Sequence, residues 1–257
     1  MEISQQLEIK NLKLTFGGIC ALDGLNMEIR KGEVVGLVGP NGAGKTSLIN
    51  VINGLYRPDE GQIFFEGDEI TWLSTTETVR RGISRTFQHV ELFRGMNVLE
   101  NLLLACSIRG RNNLFRAVVY WGAGQKEEMA YRHQAEEVID FMELEAYRKW
   151  PVESLPIGVA KQVGVARALC MKPKLLLLDE PSSGMNREEK ENFARFLLRI
   201  KHTLGISMLW VEHDMKLIGD IADRIVVMHY GKQIANGTVK EITANPAVLE
   251  AFWGKSE

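Results

Sequence analysis

The beginning of the chain alternates between polar and apolar residues. This period of two covers residues 6–14, QLEIKNLKL, and is typical of a strand with one buried face. Two glycines, Gly17 and Gly18, follow it, and residues 25–29, LNMEI, have the pattern of a second strand. We therefore predict a pair of strands joined by a glycine turn.

Short apolar runs elsewhere in the chain predict buried strands. The run at 34–39, VVGLVG, precedes a helical pattern at 46–54, TSLINVING, which predicts a strand, a glycine loop and a helix. Three similar runs are QIFFEG at 62–67, KLLLLDE at 174–180 and SMLWVEH at 207–213. Residues 225–237 predict a hairpin that turns at Tyr230 and Gly231.

The middle of the chain has a helical pattern instead. Apolar residues recur at helical spacing in 97–106 and 126–145, and both segments have charged faces. The stretch between them, 109–124, is irregular. A helix-rich block at 89–170 is therefore predicted between two blocks that are rich in strands.

The composition is that of a globular protein. The 257 residues are 45% hydrophobic and 25% charged, which suits one large domain or a domain with a subdomain. The net charge of −2 provides no basic field, so we predict no nucleic-acid partner. No apolar run approaches the roughly 20 residues that span a bilayer, so any work at a membrane would need other chains. The widely spaced Cys20, Cys106 and Cys170 are interpreted as buried thiols in a reducing compartment.

A phosphate-binding motif lies between the first apolar strand and its helix. Residues 39–46, GPNGAGKT, fit the pattern G-x-x-x-x-G-K-[ST]. Glycines allow backbone N–H groups to surround a phosphate, and the helix N-terminus adds partial positive charge. Lys45 would reach the β and γ phosphates, and the Thr46 hydroxyl would ligate Mg²⁺. The candidate nucleotide-binding residues of this motif are Gly39, Pro40, Asn41, Gly42, Ala43, Gly44, Lys45, Thr46 and Ser47.

Two alternatives could explain the glycines of this motif. A chance glycine-rich turn is the first, but the strand before it and the helix after it are the context that a phosphate loop requires. A dinucleotide-binding loop is the second, but its pattern G-x-G-x-x-G is absent here. We therefore favour the phosphate loop.

Two acidic residues and a histidine end later strands. Asp179 would hold Mg²⁺ through water, and Glu180 would act as general base on the attacking water. His213 comes one strand–helix–strand step later, which predicts it at the same edge of a parallel sheet, where it could hydrogen-bond the γ-phosphate. The alternatives are an ordinary acid pair at the end of a strand and a structural histidine.

These motifs occur in a specific order along the chain. The segments are the phosphate loop, TFQ at 86–88, a glycine turn before VARAL at 165–169, LLLLDEP at 175–181 and EHD at 212–214. In this order they resemble the nucleotide-binding subunit of ABC transporters. The resemblance implies an α/β P-loop NTPase fold that acts with ATP and Mg²⁺. It also implies a RecA-like core with an antiparallel β subdomain at 1–88 and 171–257, and an inserted α-helical subdomain at 89–170.

The same resemblance adds two residues that have no strong pattern of their own. Phe16 would stack on adenine, and Gln88 would sense Mg²⁺ and the membrane partner. The candidate catalytic residues are then Lys45, Gln88, Glu180 and His213, and the candidate metal ligands are Thr46, Gln88 and Asp179.

Longer segments of the sequence indicate one particular type of ABC transporter. Residues 82–103, 180–186, 211–218 and 244–254 are similar to the ATPase of branched-chain amino acid importers, in particular to the larger of its two ATPase subunits. This implies transmembrane permease subunits as partners, a periplasmic solute-binding protein as an indirect one, and a peripheral position at the cytoplasmic face of the inner membrane. Urea or amide import, lipopolysaccharide export and a non-transport ABC ATPase are the alternatives.

One stretch departs from the family pattern. Most members have L-S-G-G-Q where residues 155–159 read LPIGV, so Pro156 replaces the serine that would donate to phosphate, and only Gly158 remains. Proline has no side-chain donor and no N–H, and a charge-assisted donor to phosphate is worth about 1.5–3 kcal/mol. We keep both residues as candidate nucleotide contacts because the start of the next helix could still face phosphate.

The departure bears on the partner. In this family the L-S-G-G-Q segment, called the signature turn and here residues 155–159, faces the phosphate loop of the other subunit. An intact phosphate loop combined with a signature turn that binds phosphate weakly favours a heterodimer with a second ATPase subunit over a homodimer. Met185 and Asn186, where the family usually has Leu-Asp, are a second departure at the dimer-facing loop. A module that holds ATP without hydrolysing it is the alternative that Pro156 favours, whereas Glu180 and His213 speak against it.

Overall fold

The computed structural model describes residues 5–86, 91–108 and 123–253. Gln88 and residues 109–122 of the irregular stretch lie outside these ranges. Among the described residues, no helix combines the length and the apolar composition that crossing a membrane requires.

The described strands form two sheets. They are β1 (Gln5–Phe16), β2 (Ile19–Arg30), β3 (Val34–Val38), β4 (Glu60–Phe65), β5 (Asp68–Glu69), β6 (Ile83–Thr86), β7 (Leu175–Asp179), β8 (Ser207–Val211), β9 (Arg224–His229) and β10 (Lys232–Gly237). One sheet is antiparallel with the order β2-β1-β4-β5, and the other has the order β10-β9-β3-β8-β7-β6. The second sheet is parallel apart from β10. Every strand that the alternation and the apolar runs predicted is present.

The helices connect the strands. They are α1 (Lys45–Ile52), α2 (Thr75–Arg81), α3 (Val98–Ile108), α4 (Ala123–Phe141), α5 (Ile157–Cys170), α6 (Arg187–Arg199), α7 (Met215–Gly219), α8 (Val239–Ala244) and α9 (Pro246–Trp253). A π-helical turn, Ile200–Leu204, extends α6. The second helix of the middle block ends before residue 145, where the pattern predicted its end, because Glu143 has a φ of 55° that a right-handed helix cannot contain.

The six-stranded sheet separates two buried clusters. Strands β3, β7 and β8 are buried at every position, as strands covered on both faces are. Successive side chains point to opposite faces. Val35 and Leu37 therefore pack with α1 and the antiparallel sheet, whereas Val34 and Val38 pack with α5 and the other helices of the middle block. The helices α3, α4 and α5 pack on one another, and the division into subdomains at 88/89 and 170/171 stays a prediction.

The positions of the cysteines differ in part from the prediction that all three thiols are buried. Cys106 and Cys170 are buried on α3 and α5, but Cys20 is exposed. Cys20 is the second residue of β2, directly after the glycine turn, and the buried positions of that strand begin at Leu22. The interpretation of all three as buried thiols is therefore wrong for the one cysteine that lies at the tip of a hairpin.

Candidate functional site

The glycines of the phosphate loop allow close contact with the rest of the protein. A Cβ on Gly39 would lie 2.2 Å from the carbonyl oxygen of Met228. A Cβ on Gly44 would lie 2.3 Å from the carbonyl oxygen of Ala21, and Gly44 has a φ of +98°. Backbone atoms of the sheet cannot move out of the way as a flexible side chain can. The loop therefore requires glycine at these two positions.

Backbone hydrogen bonds hold the loop in place. The N–H of Gly231, in the turn between β9 and β10, donates to the Ala43 carbonyl at 3.0 Å, and the N–H of Ala43 donates to Pro40 at 3.2 Å. No side chain caps the N-terminus of α1. Its first N–H groups have no carbonyl partner in the helix and carry partial positive charge, which favours an anion at this end.

Lys45 is folded back into the loop. Its ammonium group donates to the carbonyl oxygens of Gly39 at 2.8 Å and Pro40 at 3.0 Å. The residue is only 6% exposed, and this burial lowers the pKa of Lys45 although the charges of Glu180 and Asp179 oppose the shift. The loop therefore encloses a cation that interacts electrostatically with the two acidic residues at the end of β7.

Asp179 has an unexpected partner. It ends β7 and is buried, and its Oδ2 accepts a hydrogen bond of 2.8 Å from Nη2 of Arg85 on the neighbouring strand β6. Burial raises the pKa of Asp179, and the Arg85 charge opposes that effect. The second Nη of Arg85 donates to Oδ1 of Asn50 on α1. Sequence reasoning missed both partners. Strand β6, ISRT, has neither an apolar run nor an alternation that marks Arg85, and Asn50 is one polar residue within the helical pattern of α1.

Glu180 and His213 meet, as the order of strands predicted. Glu180 leaves β7 with a φ of +45°, a costly conformation for a residue with a side chain, and its N–H donates to Val211 at 3.0 Å. Oε1 of Glu180 and Nε2 of His213 share a hydrogen bond of 2.5 Å. The acid pair and the histidine are therefore part of one site.

Glu212 is hydrogen-bonded to the two segments that carry Glu180 and His213. It is 5% exposed and accepts hydrogen bonds from the Ser182 hydroxyl at 2.5 Å and from the N–H of His213 at 2.9 Å. It thereby links the segment after β7 to the segment after β8. This residue stands in the motif EHD, but the sequence pattern predicts a role for the histidine of that motif only.

The signature turn lies at the start of α5. Pro156 is its N-cap residue, is exposed and provides no side-chain cap. A Cβ on Gly158 would lie 2.8 Å from Oε1 of Glu189 on α6. Glu189 itself completes a capping box with Asn186, whose side chain accepts its N–H at 2.9 Å. The Asn186 departure thus preserves the helix cap, and Gly158 allows α5 to lie close to α6.

Phe16 lies at the end of β1, beside the hairpin turn of the antiparallel sheet. It is the last residue of β1, directly before the glycine turn, and 43% of it is exposed. Its ring contacts Tyr56 edge-on, with 5.2 Å between the ring centroids. This arrangement leaves part of an aromatic surface open.

The site as a whole lies where parallel strands end. Strands β3, β8 and β7 are neighbours, and the phosphate loop, His213 and Glu180 follow directly after them. Ligands bind at this edge in open α/β sheets. A loop whose helix N-terminus favours an anion, a carboxylate bonded to a histidine and a nearby buried carboxylate are together the groups that binding and hydrolysis of a nucleoside triphosphate require.

Comparison with known proteins identifies the family. The profile of the ABC transporter family matches residues 22–183. The chain belongs to this family. The ABC protein is 34% identical over 250 residues to the high-affinity branched-chain amino acid transport ATP-binding protein BraF of Pseudomonas aeruginosa, with 97% of this chain and 98% of that protein covered. It is 37% identical over 251 residues to the probable branched-chain amino acid transport ATP-binding protein LivG of Archaeoglobus fulgidus, with 98% and 96% covered.

Solved structures agree with this ABC assignment. A nucleotide-free ATP-binding cassette from an ABC transporter has a TM-score of 0.85 and 32% identity, covering 98% of this chain and 100% of that one. A dimeric bacterial ABC transporter cassette has a TM-score of 0.76 and 25% identity, covering 91% and 98%. The predicted P-loop NTPase fold, the family and its class of activity, ATP hydrolysis, are confirmed.

Proposed function

We propose that this chain is the ATP-hydrolysing subunit of an importer of branched-chain amino acids that works through separate membrane subunits. The observation that carries the proposal is the hydrogen-bonded pair of Glu180 and His213 beside the phosphate loop. The solute is supported by relatives in two organisms, each of which is named for branched-chain amino acid transport.

Nucleotide binding would rest on the loop and on α1. The N–H groups at the start of the helix favour phosphate, and Lys45 supplies a positive charge whose hydrogen bonds to loop carbonyls can be exchanged for bonds to phosphate oxygens. The exposed part of the Phe16 ring offers a surface for adenine. The remaining residues of the motif, Gly39–Gly44 with Thr46 and Ser47, would surround the phosphates.

Hydrolysis would use Glu180 as the general base. Water attacks the γ-phosphorus while the bond to the β–γ bridging oxygen breaks, and Glu180 takes the proton, so that ADP and phosphate remain. The hydrogen bond from His213 sets the direction of the carboxylate. His213 is also the residue that would contact the γ-phosphate.

Mg²⁺ fits the oxygen donors at this edge. The hydroxyl of Thr46 and the carboxylate of Asp179 are ligand types that it prefers, and Arg85 donates to Oδ2 of that carboxylate. No group of three His, Cys, Asp or Glu side chains suited to a metal occurs in the described ranges, but Mg²⁺ needs only one or two carboxylates beside phosphates and water. When bound, it would neutralise phosphate charge. Gln88 keeps its proposed part in the metal site through the resemblance alone.

A second subunit would complete the site. We infer that the signature turn of a partner ATPase subunit faces this phosphate loop, and that Pro156 and Gly158 face the loop of the partner less effectively than L-S-G-G-Q would. This favours a heterodimer. As the ATPase of an importer, the chain would lie at the cytoplasmic face of the inner membrane, bound to permease subunits and served indirectly by a periplasmic solute-binding protein.

One experiment tests the function. Phosphate release and uptake of labelled leucine, with urea as a second solute, are measured in vesicles that contain the membrane subunits and both ATPase subunits. We expect Glu180→Gln to lower kcat for phosphate release by about 100-fold or more while ATP binding persists, since a general base contributes on that order. The matched control is Glu188→Gln, an exposed acid on α6, which should not change the rate.

Each other outcome points to a defined alternative. Rapid hydrolysis in Glu180→Gln would show that the base lies elsewhere. Absence of phosphate release from the unchanged protein would favour the module that only holds ATP, which the donor-free Pro156 supports. Uptake of urea instead of leucine would retain the ATPase and replace the solute.

A further inference from the structure

A single guanidinium connects three elements of the site. Nη2 of Arg85 donates to Oδ2 of Asp179 at 2.8 Å, and Nη1 donates to Oδ1 of Asn50. The side chains of Arg85 and Asp179 are 8% and 3% exposed, and Asn50 is buried as well. Asn50 lies in α1, the helix that the phosphate loop opens, and Asp179 ends β7. Arg85 therefore joins β6, β7 and α1 inside the protein.

The chemistry of arginine explains why this arrangement is rigid. The planar guanidinium presents N–H donors at fixed angles, so a contact on one side sets the direction of the donors on the other. Asn50 holds one nitrogen, and the second nitrogen then has a defined direction toward Asp179. Lysine would keep the charge but not these fixed directions.

The contact between Arg85 and Asp179 also connects the site to strand β6. In the described residues β6 is the last strand of its sheet and pairs with β7 only. It ends at Thr86, two residues before Gln88. The carboxylate of Asp179 is thus tied to the strand that leads into the segment of Gln88.

We propose that Arg85 is a positioning residue for the metal: it holds the Asp179 carboxylate in one orientation, with Asn50 holding the guanidinium, and links that carboxylate to strand β6. The inference rests on the proposed function, which supplies the metal. Groups that orient a metal-binding carboxylate typically affect metal affinity by about 10- to 100-fold. Arg85 would act in this way without touching the nucleotide.

The test separates positioning from simple charge. In the Glu180→Gln background, the affinity of the protein–ATP complex for Mn²⁺ is measured by electron paramagnetic resonance, and ATP affinity is measured without divalent metal. Removing a positive charge would by itself tighten the binding of a cation. Weaker Mn²⁺ binding in both Arg85→Gln and Asn50→Ala, the second of which keeps the Arg85 charge, would therefore show loss of orientation.

We expect a graded result. Mn²⁺ affinity should fall about 10-fold or more in Arg85→Gln and by a smaller factor in Arg85→Lys and Asn50→Ala. ATP affinity without metal should change much less than Mn²⁺ affinity in all three variants. The matched control is Arg81→Gln, whose exposed side chain pairs with Asp68 outside the site; it should leave both affinities unchanged.

Other outcomes overturn the inference. Unchanged or tighter Mn²⁺ binding in Arg85→Gln and Asn50→Ala would exclude a positioning role, as would an equal loss of both affinities. If Arg85→Gln does not fold, Arg85→Lys and Asn50→Ala decide by the same criterion. Absence of Mn²⁺ binding in the Glu180→Gln parent would overturn the proposed function itself, and the inference with it.

Discussion

The carboxyl ends of the parallel strands, where the phosphate loop lies, differ from the signature turn in how their polar groups are held. At the edge, buried polar side chains hold one another, as Asp179 does with Arg85 and Glu212 with Ser182. At the start of α5, Pro156 is exposed and donates nothing, and Gly158 serves close packing on α6. A change at the buried edge leaves a charged or polar group without a partner, which is costly. The exposed turn can change its residues at little cost to the fold.

The largest effect should come from the loop lysine. Lys45→Ala removes the cation that the loop encloses, and we expect ATP affinity to fall by about 100-fold or more, since each hydrogen bond to a charged group is worth about 1.5–3 kcal/mol. Isothermal titration with Mg-ATP measures this. Lys240→Ala, an exposed lysine on α8, is the control. Unchanged affinity would remove the phosphate-loop assignment.

A glycine substitution in the same loop should mainly affect stability. Gly44→Ala places a Cβ 2.3 Å from a backbone oxygen at a φ of +98°, and we expect a loss of at least about 2 kcal/mol in the free energy of unfolding. Urea denaturation measures the loss. A stability equal to that of the unchanged protein would show that the loop is less constrained than its contacts indicate.

A substitution in the signature turn should increase both the stability of α5 and the affinity of the dimer. Pro156→Ser adds a hydroxyl at the N-cap of α5. Its oxygen can accept a hydrogen bond from an N–H of the first turn, so we expect it to stabilise α5 by about 0.5–1 kcal/mol, and its O–H can donate to phosphate. The ATP-dependent dimer of this chain should tighten about 10-fold, as one charge-assisted hydrogen bond allows. Sedimentation of the Glu180→Gln variant with Mg-ATP measures the dimer. Pro246→Ser, at the exposed start of α9, is the control; an equal effect there would discount the turn.

The smallest effect on stability should come from a substitution of Gly158 in the signature turn. Gly158→Ala places its Cβ 2.8 Å from the flexible end of Glu189, which can move away at the loss of a helix cap worth about 1 kcal/mol. Alanine returns about the same amount through helix propensity. We expect a net change below about 1 kcal/mol by urea denaturation, clearly less than for Gly44→Ala. Equal losses at both positions would contradict the contrast between backbone and side-chain contacts.

The missed residues have a common physical feature. Arg85, Asn50 and Glu212 act through partners that lie 94, 35 and 30 positions away along the chain. Asn50 and Arg85 lie in no pattern that marks them, and Glu212, although it directly follows an apolar strand in the motif EHD, has no neighbour in the chain that indicates Ser182 as its partner. Glu180 and His213 could be brought together in advance because each directly follows an apolar strand, and adjacent parallel strands end at one edge.

Features that depend on neighbours in the chain can be predicted without a structure. The glycines of the phosphate loop, the apolar strands β3, β7 and β8, and the order of the motifs were sufficient for the fold and the family. Tertiary structure alone decided which buried polar groups pair, such as Arg85 with Asp179. It also decided that Gly158 packs against Glu189 and that Cys20 is exposed. The physical reason is that backbone conformation and strand patterning are local, whereas the partner of a buried charge depends on the order of strands in the sheet.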